Sequence, residues 1–288
     1  MQLIPGHRTD LAGGLQVRRL LPAAQARAVG PFVFLDHFGP VELAAEVDSD
    51  VGPHPHIGLA TVSYLFEGRL THRDSLGTVQ DIAPGDLNWM QAGHGIVHSE
   101  RTPFDLRGQP RRLHGLQLWA ALPPGQTELE PAFWHLPAAA LPELPLPGGR
   151  LRVLVGSAMG ASSPLPTVWP TLYVDLELEP DAVLELPPPA DQSALYLPWG
   201  GLQLDGQPLP PEQLALLPPQ PLRLQAGPTG ARAVILGGAA LPQTPRMWWN
   251  FVAFERETLG RAAARWAAGE FPAIPGETGR IEAPPWRA

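Results

Sequence analysis

The chain has 288 residues, 44% apolar and 17% charged, with a net charge of −8. That apolar content suffices for two packed domains and excludes a disordered chain. Both halves are acidic, which argues against nucleic-acid binding by bulk charge. No cysteine or lysine is present, so disulfides, thiolate zinc sites, cysteine nucleophiles, Schiff-base lysines and P-loops are excluded.

The N-terminus, MQLIPGHRTD, lacks a basic region followed by an apolar stretch, and no apolar run reaches bilayer length. A cytoplasmic protein with no membrane association is expected. Short apolar-rich runs then alternate with Pro and Gly at 15–20, 32–35, 60–66, 116–122 and 150–155. Such runs between turn signals predict an all-β sandwich or barrel. A Pro-rich join covers 136–149. The same cadence returns at 172–178, 183–186, 194–197, 202–204, 214–217, 222–224 and 233–236, which suggests an internal duplication. From 248 to 271 the period of two is lost. Leu259, Ala262, Ala263 and Trp266 fall on one face of a predicted C-terminal helix. The expected organisation is an N-terminal domain over 1–135, a linker over 136–149, a C-terminal domain over 150–245, and a helix and tail over 246–288.

All nine histidines lie at or before His135, so only the first domain is equipped for imidazole chemistry. Two motifs stand out, His54-Pro55-His56 and His98-Ser99-Glu100. In a strand, residues at i and i+2 share a face. In an antiparallel jelly roll the two pairs can meet across the barrel, with the Pro84-Gly85-Asp86 turn between them. Three imidazoles and a carboxylate suit Fe(II), and also Mn, Ni, Cu or Zn, with coordination positions left open. His72, in THRDSLG, reads as an exposed turn residue, and His94 as a turn residue or part of a pocket rim. His37 and His114 read as cavity lining or core packing. His7 and His135 have no supporting context. Arg101, Arg107, Arg111 and Arg112 form the one local basic cluster, read as a solvated loop.

The pieces GPFVFLDHFGP, HPHIGLATVSYLFEG, HRDSLG, PGDLNWMQAGHGIVHSE, HGLQLW and WWNFV resemble the pirin family within the bicupin group. The resemblance implies two tandem cupin domains. It also implies a non-haem iron held in the first domain by His54, His56, His98 and Glu100, with Gln117 near the metal. The chain departs from the family's frequent HPHRGFETV at Ile57, Leu59 and Ala60; the common cupin glutamate position is Ala60, so Glu100 must supply the carboxylate.

Two functions follow from the resemblance. One is a quercetin 2,3-dioxygenase-like enzyme that opens a small aromatic substrate, a flavonol, with O2. In it Glu100 acts as catalytic base, and Phe34, Phe38, Tyr64 and Trp89 either wall the pocket or pack the core. The other is a non-catalytic iron-binding regulator acting through protein partners, for which the loop carrying Arg101–Arg112 is the candidate contact.

Overall fold

The computed structural model describes residues 1–11 and 15–287. The chain forms two compact units that do not divide at a single point. One comprises Met1–His7, Arg18–Leu35 and Ala138–Leu241; the other comprises Arg8–Val17, Asp36–Pro137 and Pro242–Ala288. Among the described residues, no helix is long and apolar enough to cross a membrane.

The first unit is a nine-stranded antiparallel sheet. Its main path runs Gln2–Ile4, Leu214–Leu217, Gln192–Leu204, Leu222–Gly238, Thr171–Leu178, Gly149–Val155 and Glu143–Leu146. In Thr171–Leu178 every second residue, Leu172, Val174, Leu176 and Leu178, enters one aliphatic core, as the period of a strand requires. The Pro-rich stretch 136–149 is expected as a linker. It carries a short 3-10 turn, Ala138–Ala140, and an edge strand, Glu143–Leu146, that pairs with Gly149–Val155. Pro145 is tolerated there because an edge strand need not donate on its outer side. Leu144 and Leu146 pack against the core.

The second unit has two larger sheets besides the small pair Arg246–Trp248 and Phe251–Ala253. A four-stranded sheet runs Val51–His56, Ile96–Arg101, Leu70–Asp74, Val79–Ile82. A seven-stranded sheet includes, in order, Ala132–Leu136, Leu87–Gln91, Leu59–Glu67, Arg111–Ala121 and Phe32–Leu43. The helix forms over Arg256–Ala267 and buries the four residues expected of it, Leu259, Ala262, Ala263 and Trp266. Most of that face joins Ile57, Val97, Phe251 and Phe271 in one apolar cluster. The C-terminal segment is therefore part of this unit rather than a separate tail. Val97 reaches the cluster because it alternates with His98 and points out of the opposite side of its strand.

Candidate metal centre

The HPH and HSE strands are antiparallel neighbours, with His98 opposite His54 and Ile96 opposite His56. Cross-strand pairing and the i, i+2 spacing thus bring three imidazoles to one face. Ring centroids lie 4.3 Å apart for His54 and His98, 5.0 Å for His56 and His98, and 5.1 Å for His54 and His56. All three are buried, and one nitrogen from each lies within 4.8 Å of the others.

The protonation pattern suits a metal. Nδ1–H of His54 donates to the Gly52 carbonyl at 2.9 Å, and that of His56 to the Asn250 carbonyl at 3.0 Å. Each neutral ring is then left with a bare Nε2. Nε2 of His56 lies 3.1 Å from Nε2 of His98. An ion bonded to both at about 2.1 Å would hold them about 3.0–3.4 Å apart. Nδ1 of His98 is buried and makes no hydrogen bond among the described residues. Burial, opposed by the Gly52 carbonyl and assisted by His72, lowers His54 to about 4. Burial first, then the neighbouring histidines, holds His56 and His98 well below the ordinary histidine value. At neutral pH the cluster offers neutral imidazoles, the state a metal binds.

Glu100 projects from the same face of its strand but lies outside the 4.8 Å gathering of the three histidines. Burial raises its carboxyl to about 7, and the Ser63 hydroxyl pulls it partly back. Ser63 is also 2.8 Å from the Gln117 side-chain oxygen. Oxygen and nitrogen of an amide can be exchanged in such an assignment, which lets Gln117 donate to Ser63 and Ser63 to Glu100.

The facing wall comes from the seven-stranded sheet. Trp119 meets His56 edge-on at 5.1 Å, which identifies the inner face. Thr61 pairs with Trp119 and Ser63 with Gln117, so these residues share that face. His135, 2.7 Å from Asn88 through its Nδ1, continues the Ser63 row, since Asn88 pairs with both Ser63 and His135.

The expected pocket residues divide. Gln117 faces inward, and Phe38 packs among Val17, Leu43, Leu65, Ile82 and Leu113. Tyr64 and Trp89 are corrections. Tyr64 pairs with Leu116 and Trp89 with Val62, each one residue out of phase with Ser63 and Gln117. Both therefore point to the opposite face. His114 shares that face, 5.0 Å from Phe66, with its Nε2 2.7 Å from that of His37. Phe34 stands near the start of the strand Phe32–Leu43, in the stretch Arg18–Leu35 that counts with the first unit, and lies under the Arg19 guanidinium at 4.5 Å.

His72 is also a correction. It is 6% exposed, sits within the strand Leu70–Asp74, and bonds Asp74 at 2.9 Å. The turn that was expected to expose it begins only at Ser75. A signal existed in the sequence, because His72-Arg73-Asp74 is a third i, i+2 pair. The basic cluster is matched by acceptors: Arg101 and Arg107 by Asp50, Arg101 also by Glu277, Arg111 by the Val47 carbonyl and Ser49, and Arg112 by Glu67.

Two jelly-roll units, one with a histidine-lined interior, define a bicupin with a candidate metal centre. Family models agree: residues 14–120 match that of pirin, and residues 173–272 that of the pirin C-terminal cupin domain. A pirin-like protein of Caulobacter vibrioides is 42% identical over 267 residues, covering 91% of each chain. The crystal structure of a quercetin 2,3-dioxygenase from Acinetobacter baumannii superposes with a TM-score of 0.92 at 34% identity, covering 99% of this chain and 95% of that one. A bacterial pirin from Escherichia coli, YhhW in complex with nickel(II), shares the fold at 19% identity and a TM-score of 0.63, covering 82% of this chain and 96% of that one. The chain belongs to the pirin family.

Proposed function

We propose that this protein is a metal-dependent dioxygenase, with iron(II) at His54, His56, His98 and Glu100, that cleaves flavonols such as quercetin with O2. The observation that carries this reading is the buried cluster of three neutral imidazoles beside a carboxyl raised to about 7. The likeness in fold, over 99% of this chain at 34% identity, to a protein named quercetin 2,3-dioxygenase supports the substrate class.

When bound, the metal supplies a Lewis-acidic seat for the deprotonated substrate and a route for electrons to O2. The chain's own residues do the rest. Gly52 and Asn250 fix two imidazoles with Nε2 presented. Glu100, the one carboxyl of the set, takes the hydroxyl proton of the flavonol as general base. Ser63 and Gln117 hold Glu100 in place. Trp119 offers an aromatic edge to a flat ring, and the buried setting keeps bulk water from the reacting atoms.

The test is to strip the protein of metal, reload it with Fe(II), Mn(II), Ni(II) or Cu(II), and follow loss of quercetin absorbance together with O2 uptake. Turnover with at least one metal is expected. Metal-replete protein that consumes neither quercetin nor O2 with any of the four overturns the reading.

A further inference from the structure

The third i, i+2 pair lies directly beside the centre. In the four-stranded sheet Glu100 pairs with His72, and His98 pairs with Asp74. The strand Leu70–Asp74 therefore extends the row of ligand-bearing residues by one strand, on the same face. His72 is stacked on Phe133, with ring centroids 4.4 Å apart and planes 16° apart, and its ring lies 5.3 Å from that of His98.

Its proton can be placed. Asp74 is fully buried, and its two oxygens divide their work. Oδ1 accepts from the amides of Leu76 at 2.9 Å and Thr78 at 3.0 Å, which closes the turn. Oδ2 lies 2.9 Å from Nε2 of His72. A carboxylate only accepts, so Nε2 carries a hydrogen, and in the neutral ring Nδ1 is left as a lone pair. Nδ1 makes no hydrogen bond among the described residues. A ring held on three sides, with one acceptor unused, is an incomplete hydrogen-bond site. The turn needs Asp74 but makes no use of His72.

We propose that His72 is a specificity-determining residue: its Nδ1 accepts a hydrogen bond from a hydroxyl of the ligand at the metal centre, with the tautomer imposed by Asp74. The inference rests on the hydroxylated-aromatic reading given above. It adds a direction to that reading. A ring that accepts and cannot donate favours a ligand hydroxyl at this point over an ether or carbonyl oxygen.

The experiment uses full-length protein loaded with Zn(II), which is diamagnetic, and 4-nitrocatechol as the probe. Nitrogen-15 NMR of the histidine rings is expected to show His72 protonated at Nε2 and bare at Nδ1, with the Nδ1 resonance moving when the probe is added. Asp74→Asn keeps an oxygen for the Leu76 and Thr78 amides but turns an amide N–H toward Nε2, forcing the proton onto Nδ1. This variant and His72→Phe are each expected to bind the probe about tenfold more weakly, the worth of one lost hydrogen bond, with metal content unchanged. In the double variant the Asp74 change should add nothing. Wild-type protein with the proton on Nδ1, an Nδ1 resonance that the probe does not move, or two variants that bind the probe as tightly as wild type, would each overturn the proposal. Should a variant fail to fold, the wild-type spectrum still decides. Metal-replete wild type that does not bind 4-nitrocatechol at all is a different result, and it sinks the hydroxylated-aromatic reading itself.

Discussion

The unit built mainly from 138–241 fills its interior with aliphatic side chains such as Leu172, Val174, Leu195 and Leu224, whereas the unit built mainly from 36–137 buries His54, His56, His72, Asp74 and His98. Aliphatic filling stabilises a barrel without further partners, because area removed from water is favourable in itself. Polar filling is costly unless each group is paired. The histidine-bearing unit accordingly enlists main-chain carbonyls and the C-terminal segment. Asn250 accepts from His56, and Glu277 receives Ser99 and Arg101 on the outer side of the HSE strand. One unit is filled with aliphatic side chains, while the other buries a polar cluster whose strands are hydrogen-bonded by the C-terminal segment.

The sharpest way to break the comparison is His98→Ala. His98 is the middle member of the cluster, facing both His54 and His56. Loss of the bound metal and of quercetin turnover is expected, measured as metal per chain after purification without chelator or affinity nickel, alongside O2 uptake. Full metal retention would refute the ligand assignment. In the aliphatic unit the corresponding injury is Leu195→Ala, at a fully buried position. It should cost about 2–5 kcal/mol, read from denaturant midpoints, and leave metal content unchanged.

Acid separates the units next. In metal-free protein His54 is held at about 4 against an ordinary 6.5. Between those values the unfolded chain binds more protons than the folded one, so stability is full above about 6.5 and falls as the pH drops toward about 4. The loss from His54 alone is about 3 kcal/mol. Hydrogen exchange read region by region should show protection falling first around 51–101. The histidine-free stretch 138–241 should respond less. Equal loss in both regions would argue against buried neutral imidazoles as the cause.

Much of this contrast is legible in the sequence. The placing of every histidine at or before His135, and the HPH and HSE pairs, follow from reading residues in twos. What was not legible depends on register. Tyr64, Trp89 and His114 turn away from the histidines because their phase is set by partners on other strands and by an irregularity between His114 and Gly115, and a one-residue slip exchanges the two faces. His72 falls in a strand that runs three residues further, through Asp74, than the turn residues suggest. The carbonyl of Asn250 carries no side-chain signature, and it lies 194 residues from the ring it orients.

The smallest effect tests the bracing. The side chain of Glu277 is 9% exposed and accepts from Ser99 Oγ at 2.9 Å and from Arg101 Nε at 3.1 Å, with Arg73 at 3.5 Å. Ser99 and Arg73 are the middle residues of HSE and HRD, so this one carboxylate grips the outer side of both strands whose inner sides carry His98, Glu100 and His72. Glu277→Gln keeps the shape and removes the charge, and should cost about 1–3 kcal/mol, because hydrogen bonds to a charged group at a shielded site are lost. Glu143→Gln is the control in the other unit. Glu143 meets Arg150 and Arg152 on an edge strand, with its side chain 38% exposed, and exposed pairs contribute about 0–1 kcal/mol. The comparison predicts that only the Glu277 change weakens metal retention against a chelator. If the two variants lose metal equally, or neither does, the C-terminal segment braces the fold without serving the centre.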